Sequence, residues 1–281
     1  MLHRGTIVVI AILATMTGAP AFDETQYPDW NGQWTRVPVP GYPGQPPHDP
    51  TKPPGRGQEA PLTPEYQAIF EANLADQAKG GQGAGETSFC LPNGMPRVMT
   101  PYEPMEFVIT SATTYVLLEH IEHNRRIFTD GRAWPQTIWP TYVGYSIGRW
   151  RDADGDGRFD TLEVETRGFK GPRVYDATGI PLHRDNLSVI KERITLDQAN
   201  RNILLNEITV IDNALTRPWT VMKRYRRSAE AQPVWREYIC AENNPHIRVG
   251  KEHYYVSADG YLMPTHKDQP PPDARYFSKG R

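Results

Sequence analysis

Leu187-Ser-Val-Ile-Lys-Glu-Arg-Ile-Thr-Leu196, Asp197-Gln-Ala-Asn-Arg-Asn202 and Ile203-Leu-Leu-Asn-Glu-Ile-Thr-Val-Ile-Asp212 follow one another without a break. In the two flanks apolar and polar side chains alternate, and β-branched residues dominate. A period of two is the mark of a half-buried strand. The middle piece is short and polar, so the strands it joins run antiparallel; a parallel crossover needs a dozen or more residues. The same pattern recurs on both sides, and strands are expected at 106–110, 114–122, 125–129, 142–150, 161–167, 219–226 and 234–240. A run of eight or so antiparallel strands tends to close on itself, which removes its edges. The expected fold is mainly β. It is an antiparallel up-and-down barrel, or a strongly curved sheet, over residues 86–281.

The preceding region, 22–85, reads differently. Ten prolines stand between Pro38 and Pro64. Each fixes φ and removes a donor, which predicts an extended arm and excludes a central strand or a helix. A short helix follows, with Thr63 as cap, Pro64 in its first position and an apolar stripe of Tyr66, Ile69, Phe70 and Leu74. Gly80-Gly-Gln-Gly-Ala-Gly85 ends it and lacks the Gly-Lys-Ser/Thr ending of a P-loop. Trp30-Asn-Gly-Gln-Trp34 offers a first strand, and its Gly-x-Trp is similar to the opening of lipocalin-type barrels.

Residues 1–21 read as an address. Met1-Leu-His-Arg-Gly5 carries positive charge, and Thr6-Ile-Val-Val-Ile-Ala-Ile-Leu-Ala-Thr-Met16 is apolar but too short to span a bilayer. Ala19-Pro20-Ala21 is a small-x-small cleavage pattern. A secretory signal peptide cut after Ala21 is expected, with an uncleaved anchor as the alternative. The mature chain is then periplasmic or secreted, without a membrane span. In an oxidising compartment Cys90 and Cys240 can pair; two buried thiols are the alternative. The formal net charge of −2 gives no general attraction to nucleic acid or anionic membranes.

The sharpest motif is Asp152-Ala-Asp154-Gly-Asp156-Gly157-Arg158-Phe159-Asp160-Thr-Leu-Glu163. It matches the EF-hand loop. Acidic side chains stand where calcium wants oxygens, a glycine permits the sharp turn, and Arg158 needs only its carbonyl. The flanks, Tyr145–Trp150 and Leu162–Arg167, read as strands rather than helices. A structural Ca2+ at a hairpin tip is expected, on Asp152, Asp154, Asp156, Arg158, Asp160 and Glu163. Glu163 is the doubtful ligand, because it already lies in a strand. An acidic turn without metal is the alternative.

Alternation also sets ionisable groups among apolar ones. Glu119 shares a face with Leu117, and His120 with Val116 and Leu118. Glu192 sits with Ile190 and Ile194, Glu207 with Leu205, and Glu237 with Trp235. A buried carboxylate is costly unless paired, and Arg125, Arg126, Arg132, Arg193 and Arg217 are its natural partners. One possibility is catalysis, with Glu119, Glu192 or His120 as general base and Arg126 or Tyr145 stabilising developing negative charge. The other is structural ion pairing. No Gly-x-Ser-x-Gly elbow and no His-x-x-x-His pair is present, and nothing suggests a nucleotide, flavin or haem.

Cys90-Leu-Pro-Asn-Gly-Met-Pro-Arg97, Arg125-Arg-Ile-Phe-Thr-Asp-Gly-Arg132, Gly144-Tyr-Ser-Ile-Gly-Arg-Trp150, Arg217-Pro-Trp-Thr220 and Glu237-Tyr-Ile-Cys-Ala-Glu-Asn243 occur in this order. Together they resemble a large group of exported bacterial proteins. Relatives in that group often carry His at the position of Tyr145 and a short Gly-Asp turn in place of Asp152–Asp160. The resemblance therefore implies export and a calcium loop in some members only; if the position of Tyr145 is catalytic in relatives, the chemistry here is changed or absent. Three functions are expected, in this order: a barrel binding a small hydrophobic or aromatic molecule; a cofactor-independent lyase, isomerase or hydrolase acting on such a molecule; and a calcium-stabilised envelope module.

Overall fold

A computed structural model describes residues 22–37, 60–81, 83, 90–101, 103–119, 124–240 and 246–276. The expected leader at 1–21, most of the proline-rich stretch and His120 lie outside them. Nine strands form a closed barrel: β1 (Gln33–Arg36), β2 (Met105–Ile109), β3 (Thr113–Leu118), β4 (Arg125–Phe128), β5 (Tyr145–Arg151), β6 (Thr161–Arg167), β7 (Val189–Leu196), β8 (Ile203–Ile211) and β9 (Trp219–Arg227). Each pairs with the next, and β1 pairs with β9 through Trp34–Arg227 and Arg36–Tyr225. The barrel thus takes its first strand from the segment before the prolines, at the expected Trp30–Trp34 stretch.

Period-two alternation becomes inside and outside. Along β7 the side chains of Ile190, Glu192, Ile194 and Leu196 are buried, and along β8 those of Leu204, Asn206, Ile208 and Val210. The interior is filled. Trp30, Phe107 and Trp150 pack ring against ring at one end. Met95, Val98 and Met99, from the segment ahead of β2, enter the barrel and are fully or almost fully buried. The Tyr225 phenol donates to the Met99 carbonyl at 2.6 Å and anchors this plug. Burial of so much apolar surface is the main stabilising contribution.

Helix α1 (Pro64–Gln77) lies against the barrel with Tyr66 and Phe70 buried. Its cap is as expected: Pro64 opens it and the Thr63 hydroxyl accepts from the Tyr66 N–H at 3.4 Å. The helix is moored by Thr63 N–H to the Ala214 carbonyl at 2.8 Å and Thr216 N–H to the Pro61 carbonyl at 2.7 Å.

Three local expectations are corrected. β4 and β5 are parallel, through Ile127–Ser146 and Phe128–Ile147. The connecting segment 129–144 is long enough to carry the chain back to the same end, so the barrel is antiparallel everywhere else only. Residues 234–240 form no strand; Val234, Trp235 and Ile239 are exposed. Both edges of β9 are already taken by β8 and β1, so a further strand has no partner. Beyond Cys240, β10 (His246–Val249), β11 (Glu252–Val256) and β12 (Leu262–Pro264) make a separate small antiparallel sheet that the sequence pattern did not announce. Cys90 and Cys240 are disulfide-bonded, with Cα atoms 5.5 Å apart. No helix among the described residues is long and apolar enough to cross a membrane.

Candidate functional sites

The inward polar residues of the barrel form one belt. Arg125 of β4 is fully buried and clasps Glu192 of β7 with both terminal nitrogens, one contact at 3.0 Å. The guanidinium also donates to Thr166 Oγ1 at 2.9 Å and Ser146 Oγ at 3.3 Å. Asn206 Nδ2 donates to Glu192 Oε1 at 2.9 Å, and Ser146 and Thr166 share a hydrogen bond at 2.9 Å. The belt joins five consecutive strands, β4 to β8. Its charges are matched and its hydrogen bonds largely made, as a buried ion pair requires.

The remaining expected catalytic residues do not gather around Glu192. Tyr145 heads β5 on the outer surface, half-buried, between the rings of Phe128 at 5.0 Å and Trp134 at 6.0 Å. Arg126 is exposed on the outside of β4. Glu119 is buried just beyond β3. Glu207 and Arg193 also face outward. They extend a cross-strand row of alternating charge, Arg149–Glu163–Arg193–Glu207, over β5 to β8. Glu237 is exposed in the irregular segment after β9.

A second buried group was missed by sequence reading. Lys223 of β9 points inward between Val221 and Tyr225, beside the fully buried Tyr175 and Asp176 of the 170–182 loop. The only local signal was a lysine in an inward register position. Burial lowers the Lys223 pKa to about 8, although the Asp176 carboxylate opposes the fall. Burial raises the Asp176 carboxyl, against the pull of Lys223. Burial also raises the phenols of Tyr175 and Tyr225. Between pH 8 and the ordinary lysine value of 10.5 the unfolded chain carries a proton that the folded one has released, so stability rises with pH. Urea unfolding at pH 7.5 and pH 9.5 is expected to show this rise in the wild type and not in Lys223→Met. An equal rise in both would remove Lys223 as its cause.

At the β5–β6 hairpin tip the side-chain oxygens of Asp152, Asp154 and Asp156 come within 4.8 Å of one another. The backbone holds them there. Asp152 accepts from the N–H groups of Gly155 at 2.7 Å, Asp156 at 3.1 Å and Gly157 at 2.9 Å. Gly157, the sixth residue of the loop, has φ +87°, which a side chain would resist. Asp160 turns back to accept from Ala153 N–H at 2.9 Å and Asp154 N–H at 3.1 Å. Burial would raise its carboxyl, but these bonds and one from Thr161 outweigh that, and its pKa is lowered. Glu163 is not drawn in. It lies in β6 and pairs with Arg151 at 2.8 Å. The loop is tied to the N-terminal segment by Phe159 N–H to the Gln26 carbonyl at 2.8 Å and by the Phe159 and Tyr27 rings, 5.2 Å apart.

A largely apolar cleft among the described residues lies outside the barrel, between α1, the 172–184 segment and the small sheet. Its volume is about 420 Å³. Tyr66, Ile69, Leu91, Val174, Pro181 and Leu182 line it, with Arg184, Arg248, His253 and Glu65 among its polar groups. The Tyr66 hydroxyl accepts from Arg184 N–H at 3.2 Å, which links helix to loop. Burial first, and Arg248 second, lower the His253 pKa. Comparisons with family models, curated proteins and solved structures found no match to this chain.

Proposed function

We propose that this chain is an exported barrel that binds a small hydrophobic molecule in the cleft between α1 and the small sheet, not in the barrel interior. The cleft carries the reading: its volume falls in the range of roughly 300–1,000 Å³ usual for ligand pockets, and its walls are apolar with a few placed polar groups. The barrel interior is filled by the Met95–Met99 plug and the Arg125–Glu192 belt, which leaves the outside wall as the place for a ligand. The disulfide supports an oxidising compartment. Ile69, 39% exposed on the cleft-facing side of α1, has the unsatisfied apolar surface a ligand would cover.

The neutral probe N-phenyl-1-naphthylamine tests this. Its fluorescence is expected to rise on mixing with the wild type and to rise at least about tenfold less with Ile69→Asp, as expected for placing a charge against an apolar ligand. Equal fluorescence with both proteins would place binding elsewhere, and none with either would end the reading.

The same proposal gives the hairpin tip a structural calcium ion. The donors are all hard oxygens, which suits calcium and does not suit zinc with its preference for nitrogen and sulfur. Asp152, Asp154 and Asp156 would hold it, with the Arg158 carbonyl and Asp160 completing the set; the pairing of Glu163 with Arg151 argues for its omission. Calcium at a hundred times its Kd is expected to stabilise the fold by about 2.7 kcal/mol. The melting temperature should rise with calcium in the wild type and stay constant in Asp154→Asn. A flat response in the wild type would return the loop to an ordinary acidic turn.

A further inference from the structure

We propose that the cleft takes an aliphatic carboxylic acid, with its chain against Ile69, Leu91, Val174 and Leu182 and its carboxylate on the guanidinium groups of Arg184 and Arg248. This rests on the reading of the cleft as a ligand site and narrows it to one chemical class.

The first reason is charge. Arg184 and Arg248 are both exposed at the cleft, and among the described residues neither has a carboxylate within ion-pair distance. Arg248 Nε donates to the Gly250 carbonyl at 3.0 Å, which fixes the base of its guanidinium. Arg173, the third cation lining the cleft, is committed to the fold. It donates to the Met95 carbonyl at 2.9 Å, Asn186 Oδ1 at 3.3 Å and Ser188 Oγ, and stacks on Phe169. Among the described residues of the lining Glu65 is the one carboxylate, so positive groups prevail there. Guanidinium groups on an apolar wall are suited to a carboxylate, which they can hold by paired, charge-assisted hydrogen bonds.

The second reason is shape. The walls are branched aliphatic side chains and prolines. Among the described residues of the lining Tyr66 is the one phenol or phenyl ring, and it already packs on His183 with centroids 5.1 Å apart. A flat aromatic ligand would find no pair of ring faces to enter between, whereas a flexible chain follows an irregular aliphatic wall.

Calorimetric titration at pH 7 with decanoate, decanol and 2-naphthoate separates the outcomes. Decanoate is expected to bind at least about tenfold tighter than decanol, the ratio for one charge-assisted contact. Arg184→Gln combined with Arg248→Gln should bring decanoate down to the level of decanol and leave decanol unchanged. Both side chains are exposed, and an unchanged melting temperature would show that the variant folds. Equal binding of decanoate and decanol overturns the carboxylate, and tighter binding of 2-naphthoate overturns the aliphatic chain. In both cases a continued N-phenyl-1-naphthylamine signal would leave the cleft itself standing. Loss of all four ligands would remove the cleft as well.

Discussion

Replacing Arg125 with Met is expected to lower the unfolding free energy by about 3–5 kcal/mol, the loss usual when one partner of a buried ion pair is removed. Glu192 would remain inside the barrel with the Asn206 amide still donating to it. At roughly 2–4 °C per kcal/mol for a chain of this size, the melting temperature should fall by about 10 °C. The informative comparison is the double variant Arg125→Met/Glu192→Leu. It removes both charges and fills the volume with apolar atoms, and it should recover a part of the loss. Ser146 and Thr166 keep their mutual bond in that variant, but the buried Asn206 amide loses Glu192 as its acceptor, which keeps the recovery partial. Urea unfolding followed by tryptophan fluorescence measures all three. A double variant less stable than the single one would mean that the belt contributes more than the cost of burying its charges.

Removing the disulfide is the second large effect. The bond closes a loop with a sequence separation of 150 residues. The chain-entropy relation gives about 5 kcal/mol for such a loop, at the top of the usual range. Cys240→Ser should therefore destabilise the protein about as much as Arg125→Met, but in a different place. Cys240 stands between the irregular 228–239 segment and the small sheet β10–β12, so it is the covalent tie that brings that sheet back toward the segment before β2. Hydrogen exchange is expected to quicken in residues 246–264 before it does in β5–β8, and binding in the cleft should weaken with it, because Arg248 and His253 belong to the sheet. Uniform quickening over the whole barrel would show instead that the bond acts only through global stability.

Much of this architecture was legible in the residue pattern. A strand over 161–167 and strands ending at Leu196 and starting at Ile203 follow from strict alternation, because the barrel wall has one wet and one dry side. The inward position of Glu192 follows from its apolar neighbours at 190 and 194. Its partner could be named only as one of several arginines, since 67 residues separate Arg125 from Glu192 and no local rule spans that distance. Lys223 and Asp176 escaped notice because each alone is an ordinary charged residue. Alternation at 234–240 misled, because it records a repeating pattern and carries no information about whether a neighbouring strand has a free edge. The parallel step between β4 and β5 was hidden in segment 129–144, whose path depends on what it packs over.

Local chemistry was enough to specify the strands, the capped helix, the acidic turn and the two cysteines, because each depends on residues close together along the chain. The cleft and the belt across β4 to β8 were decided by the tertiary structure alone. Their members come from distant segments, and closure of the barrel is what settles which of them share a side and which are kept apart.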